Sequence, residues 1–285
     1  MQRDAPLASE PIRATAVAGS WYPSEPQELA AVVDRYLDDA DMEPRNGVRA
    51  IIAPHAGLVY SGPVAAHAYG AVRNRPYEVA VLIGPSHFVG FDGVSIYQRG
   101  AFDTPLGPAP IDTEIAERIL ARSSLIVPYA AAHQREHSLE LQLPFLKRVL
   151  PETPIVPLVI GYQVRKTIMV LAEVLAEVLS GKQALLVAST DLSHYFDARL
   201  AAELDGRVIE HVGRFDGDGL LSEFERYPEN ERGRYVACGG GAAIAAMWTA
   251  RALGAIRATV LKRSDSGEVS GDTKRVVGYL AAIME

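Results

Sequence analysis

The sequence predicts a single α/β domain, residues 1–285, built on a mixed β-sheet, and three observations predict it. Short β-rich runs alternate with helical patterns along the chain, as strands and crossover helices do in an α/β sheet. At 285 residues the chain is near the upper size at which one hydrophobic core still serves one domain. No linker, repeat or low-complexity segment interrupts the pattern. The most polar interior stretch, SDSGEVSGDTK at 264–274, is too short to separate domains.

In chain order, the first helix is PQELAAVVDRYLDDA, placed after Ser24 with Pro26 at its start. VRAIIA (48–53) and EVAVLIG (78–84) are the first strands. GVSIYQRGAFDTPLG (93–107) reads as a hairpin about Arg99 and Gly100, which adds antiparallel strands and makes the sheet mixed. Asp112 is the expected N-cap of DTEIAERILARS, whose apolar residues fall three and four apart. LELQLPFLKRVL (139–150) is a further helix, followed by the strand PIVPLVIG (154–161) and the helix TIMVLAEVLAEVLSG, which stops at Gly181. ALLVAST (184–190) is a strand, and Asp191 and Ser193 are candidate caps for the helix DARLAAELDGRVIEHV. YVAC (235–238) reads as a short strand before the small-residue helix GGAAIAAMWTARALG. AIRATVLKR (255–263) and RVVGYLAAI (275–283) complete the sheet.

Composition narrows the function. A net charge of -7 argues against a broad phosphate-binding face, because nucleic-acid affinity comes largely from clustered Lys and Arg. No apolar run has the length of a membrane span, and MQRDAPLASEP lacks the apolar core of a signal peptide, so the cytoplasm is the expected compartment. The single cysteine, Cys238, rules out an internal disulfide and any zinc site of several thiolates from one chain.

Sites in open α/β sheets gather outside the carboxyl ends of the strands. His55 follows the first strand (AIIAPH), His87 the second (VLIGPSH), and Asp191 and His194 the fourth (ALLVASTDLSH), while Cys238 ends YVAC. Two imidazoles and a thiolate make a three-ligand site with a position left for water or substrate, suited to zinc, iron or copper. Asp191 and His194, three apart, suit a carboxylate that fixes a tautomer and a base that titrates near neutrality. Taken singly, each histidine is more often a hydrogen-bonded structural residue, and Cys238 a small buried hydrophobe. HQREH (133–137) matches the letters of an H-x-x-E-H zinc motif but has no second acidic ligand, so His137 is assigned to the pocket rim with Glu136 and Glu140 as supports. Dinucleotide and P-loop fingerprints are absent. CGGG suits either an anion at free N–H groups or close helix packing.

The ordered motifs AGSWYP, APHAGLVYSGP, GPSH, FDTPLG, EHSLELQLPFL, TDLSHY, CGGG and SGDTKRVVGYLA, from Ala18 to Ala281, resemble the Memo family, and within it the prokaryotic branch called AmmeMemoRadiSam system protein B. The resemblance implies a fold like that of class III extradiol dioxygenases, a central mixed sheet flanked by helices on both faces. It also implies His55, His87 and Cys238 as metal ligands, His194 as catalytic histidine with Asp191 beside it, and Trp21 and Tyr22 at the entrance. Fe(II) is the first expectation for the metal, with copper or zinc as alternatives, and a radical-SAM protein and an AMMECR-type protein are the implied partners. The dioxygenases use two histidines and a carboxylate, so a sulfur from Cys238 shifts preference toward softer metals. The readings carried forward are a metal-dependent oxidoreductase, a non-catalytic partner-binding module using the same vestibule, and a cysteine hydrolase using Cys238 and His194.

Overall fold

Four strands buried along their whole length form the centre of the molecule: Ala50–Ala53, Ala184–Ser189, Val79–Pro85 and Ile155–Ile160, all parallel to their neighbours in that order. They read as continuous apolar runs because helices cover both faces, and each Ile, Leu or Val side chain so buried contributes about 1.5–3 kcal/mol. The computed structural model describes residues 11–285, so the reading made of the first ten residues lies outside the described residues. Antiparallel strands extend the sheet on both sides. Val276–Met284 pairs with Ala50–Ala53 and also with His194–Phe196 and Ala258–Asp265; Val94–Ile96 pairs with Ile155–Ile160 and is followed by Ile126–Val127. The result is the mixed nine-stranded sheet of the expected fold class.

One face carries the helix Leu58–Gly70, packed on Ala50–Ala53 and Val276–Met284 together with Pro26–Ala40 and Leu143–Val149. The other carries Gly240–Ala252, packed on three central strands together with Arg165–Val178 and Gly217–Glu225. Leu58–Gly70 holds Pro63 in its interior. A proline there removes a backbone donor and disguises a helix as loop.

The structure corrects three expected elements. Residues 93–107 are not a hairpin: Val94–Ile96 lies in the main sheet, whereas Ala101–Phe102 joins a separate three-stranded sheet with Ile12–Arg13 and Ala109–Pro110. The N-terminal strand takes the place of the hairpin partner, and it approaches so closely that a side chain at Gly100 (φ +88) would meet the Pro11 carbonyl. YVAC is not a strand either. Tyr235 ends the helix Glu229–Tyr235, and the N–H groups of Val236 and Ala237 both turn back to the Arg232 carbonyl. LELQLPFLKRVL is divided into a 3-10 turn, Glu140–Gln142, and the helix Leu143–Val149, as expected where Pro144 supplies no N–H.

Candidate metal centre

Ala53 lies opposite Ser189, and Ile83 opposite Ala188, so the parallel strands end level with one another and release their next residues onto a common rim. His55 leaves the first of them and is 1% exposed. Its Nδ1 is fixed by a relay of hydrogen bonds. Tyr69 donates its hydroxyl to Gln142 Oε1 at 2.7 Å, which turns Gln142 Nε2 toward Pro54 O (3.0 Å) and Ser189 Oγ (2.7 Å). Ser189 donates its one hydrogen to Ser138 O at 2.6 Å, so its lone pairs accept from Gln142 and from His55 Nδ1–H at 2.8 Å. One proton therefore sits on Nδ1, which leaves Nε2 facing the cleft and Cys238.

His87 is held in the same tautomer by a different device. The Glu136 carboxylate accepts from His87 N (2.6 Å), His87 Nδ1 (2.8 Å) and Ser138 N (2.8 Å). Burial would raise Glu136, but the hydrogen bond and charge of His87 hold it down to about 2. Burial works against a charge on His87, yet hydrogen bonds to Cys238 and Glu136 outweigh it and raise the ring to about 10. With Nδ1 committed to Glu136, Nε2 is again the atom left for a ligand or a proton.

Cys238 closes the cluster from a loop between two helices. Its backbone N–H donates to Asp191 O (3.2 Å), while its sulfur accepts from Asp191 N (3.3 Å) and lies 3.2 Å from His55 Nε2. Burial favours the neutral thiol, but the charge on His55 and hydrogen bonds to His55 and His87 bring it down to about 6. The glycines that follow serve close packing: a Cβ on Gly239 would lie 2.3 Å from Ser189 O, and Gln163 clamps the turn by donating to Cys238 O (2.6 Å) and accepting from Gly241 N (2.8 Å).

A family model described as Memo-like protein matches residues 13–283. A MEMO1 family protein of Methanosarcina mazei is 36% identical over 277 residues, covering 96% of this chain and 99% of its own length. The chain belongs to the Memo family. A further MEMO1 family protein, from Nitrosopumilus maritimus, is 32% identical over 275 residues, 94% of this chain and 98% of its own. A crystal structure of an uncharacterized protein from Escherichia coli K12 aligns over 82% of this chain and 99% of that one with a TM-score of 0.54, a likeness of fold alone at 14% identity.

In this Memo-family chain the remaining site candidates separate clearly. Asp191 is buried and accepts from His55 N at 2.7 Å, so its carboxylate positions the His55 loop; the following helix is capped instead by Asp197, which accepts from Leu200 N. Burial raises Asp191, partly opposed by His194, and burial lowers His194, whose Nδ1 has no hydrogen-bond partner. His137 lies among the rings, 4.5 Å from His87 and 5.6 Å from His55 between centroids, under Trp21 at 4.4 Å. Burial and the charges of His55 and His87 push His137 down to about 3. Tyr22, expected at the entrance, is instead buried in the hydrophobic core and donates to Glu140 Oε1 at 2.7 Å. Glu140 holds Arg13 in a buried ion pair and accepts from Ala16 N and Val17 N, so it anchors the N-terminal segment and does not support His137. His133 is bonded to Ser95 at 2.9 Å, and the helix around it ends at Gln134, so HQREH never forms one helical face.

The donor set fits a metal ion. His55, Asp191 and Cys238 have ligand atoms within 4.8 Å of one another, and so do His55, His87 and His137. Nitrogen and sulfur ligands of a tetrahedral ion lie about 3.6 Å apart, so the His55–Cys238 spacing needs little change to admit one. Sequence reading missed Ser189, Gln142 and Tyr69, which set the His55 tautomer. The one signal for them was a serine at the end of an otherwise apolar strand. No helix of the described residues is long and apolar enough to cross a membrane.

Proposed function

We propose that the chain is a mononuclear metal protein working in redox or oxygen-dependent chemistry, with Fe(II) as its metal and copper or zinc as the alternatives. His55, His87 and Cys238 would hold the ion. The observation that carries this reading is that Ser189 and Glu136 occupy the two Nδ1 positions, so both rings turn Nε2 toward the Cys238 sulfur, a thiol already inclined to ionise. When bound, Fe(II) supplies one-electron redox and open positions for oxygen or substrate. The chain's own residues do the rest. Asp191 orients the His55 loop through His55 N, and His194, coupled by charge to Asp191 and His87, would carry the proton.

A cysteine hydrolase is less well supported, since Cys238 is bonded to His55 and His87, whereas His194 answers to Asp191 and His87. Exposed Trp21 and Phe88 beside His137 favour a vestibule that also receives a partner group. Placement in the AmmeMemoRadiSam branch, with a radical-SAM protein and an AMMECR-type protein as partners, belongs to this proposal on family grounds. Anaerobic loading with Fe(II) tests it. One ion per chain is expected in the wild type, with none retained by His55→Ala or His87→Ala and weaker retention without sulfur ligation in Cys238→Ser. A wild type that takes up no metal would overturn it.

A further inference from the structure

Of the three neighbouring rings His55, His87 and His137, only His137 has no hydrogen bond among the described residues to account for its position. It is 7% exposed, and its Nδ1 is buried without a partner. Glu136 Oε1 lies 3.7 Å away, beyond hydrogen-bond reach, and already accepts from His87 and Ser138. Packing alone holds the ring. It stacks on His87 at an interplanar angle of 18°, meets His55 edge-on at 80°, and is covered by Trp21 and flanked by Phe88. Burying an unpaired imidazole nitrogen costs free energy, so such an atom calls for an explanation.

The neighbours supply one. His55 and His87 each present only Nε2, and a ring nitrogen of His137 falls within 4.8 Å of both. The other compact group, His55 with Asp191 and Cys238, shares His55 but neither of the other imidazoles. Two overlapping donor sets thus meet at one histidine, one made of nitrogen alone and one containing sulfur.

We propose that His137 is a metal-binding residue, completing with His55 and His87 a three-imidazole position beside the thiolate position, so that the site has two ways to hold one ion. The proposal rests on the metal-site reading above. Its chemical consequence follows from ligand softness: the sulfur-containing set favours soft ions, whereas three imidazoles suit borderline divalent ions. His55, common to both compact groups, and His87, a ligand in the reading above, would remain bound in either.

A double-mutant cycle with Co(II) as probe, titrated anaerobically into the full chain, tests this. Wild type, Cys238→Ser, His137→Ala and the double variant are compared by optical titration, with the sulfur-to-cobalt absorption band reporting thiolate ligation and near-UV circular dichroism reporting folding. If His137 only props its neighbours, its loss costs the same factor in both backgrounds, about 10–100-fold as for other supporting residues. If it is a ligand, the costs differ. The expected result is that Cys238→Ser still binds one Co(II) without the sulfur band, that His137→Ala in the wild type costs less than about tenfold and keeps the band, and that the same change in Cys238→Ser costs more than about a hundredfold. His137→Gln in the Cys238→Ser background replaces the double variant if that fails to fold. Equal factors in the two backgrounds, or complete loss of Co(II) from Cys238→Ser, overturn the proposal while leaving the thiolate site standing. Absence of Co(II) binding in the wild type overturns both.

Discussion

Two buried polar clusters lie on either side of the segment 133–140, and they use the same residue types to opposite ends. In the anchor cluster, Arg13 pairs with Glu140 and donates to the His133 carbonyl, while Glu140 also accepts from Ala16 N, Val17 N and the Tyr22 hydroxyl. Every strong donor there meets an acceptor, and charge is balanced. In the rim cluster, the supporting groups are equally saturated, but His55 Nε2, the His87 ring and Cys238 face one another. The lesson is about convergence. His133 also has an unpartnered Nδ1, yet its neighbours are the rings of Tyr97 and Phe102, and among the described residues no metal-binding group includes it. A single free nitrogen is not a site; several aimed at one point can be.

The largest way to break the contrast is Glu140→Ala. It leaves the Arg13 charge buried and unpaired, so a loss of about 3–5 kcal/mol is expected in urea unfolding, with metal binding intact in the molecules that remain folded. A loss under about 1 kcal/mol would remove the anchor role. Glu136→Gln sharpens the comparison from the other side. Shape is kept while the acceptor for His87 Nδ1 loses its charge, so metal affinity should fall about 10–100-fold, read by competition with a chelator, with a smaller effect on unfolding than Glu140→Ala. Unchanged affinity would mean that His87 is not a ligand.

The smallest expected effect is on pH dependence. Glu136 is held down from 4.5 to about 2, so its stabilising contribution is complete above pH 4.5 and is lost as pH falls through about 2. His87 is raised from 6.5 to about 10, so its contribution is complete below pH 6.5 and is lost as pH rises through about 10. Cys238, lowered from 9.0 to about 6, gains its contribution as pH rises from about 6 to 9 and offsets His87 there, so metal-free protein should lose thermal stability only between about pH 9 and 10. Metal-loaded protein should lose less, because ligation rather than a proton holds the ring. Equal alkaline slopes with and without metal would contradict this.

Much of the rim was legible because apolar runs break off into Pro-His and Gly-Pro-Ser-His, and a period of two or continuous burial marks strands well. The strand ends at His55, His87 and Asp191 follow directly. Cys238 lies on the expected rim for a different reason: YVAC has strand-like residues, but a helix end and the two contacts with Asp191, one from Cys238 N to its carbonyl and one from its N–H to the Cys238 sulfur, override that preference. Trp21 and Tyr22 look alike in sequence, and only tertiary contact sends one onto His137 and the other into the core. The Tyr69–Gln142–Ser189 relay was illegible because its members come from three segments 73 and 47 residues apart.

The central claim is that two imidazoles and the one sulfur bind a common ion. X-ray absorption on anaerobically reconstituted Fe(II) protein tests it most directly. The account predicts one sulfur and at least two imidazoles in the first shell, with the sulfur signal gone in Cys238→Ser. Iron bound by oxygen and nitrogen alone in the wild type would contradict it.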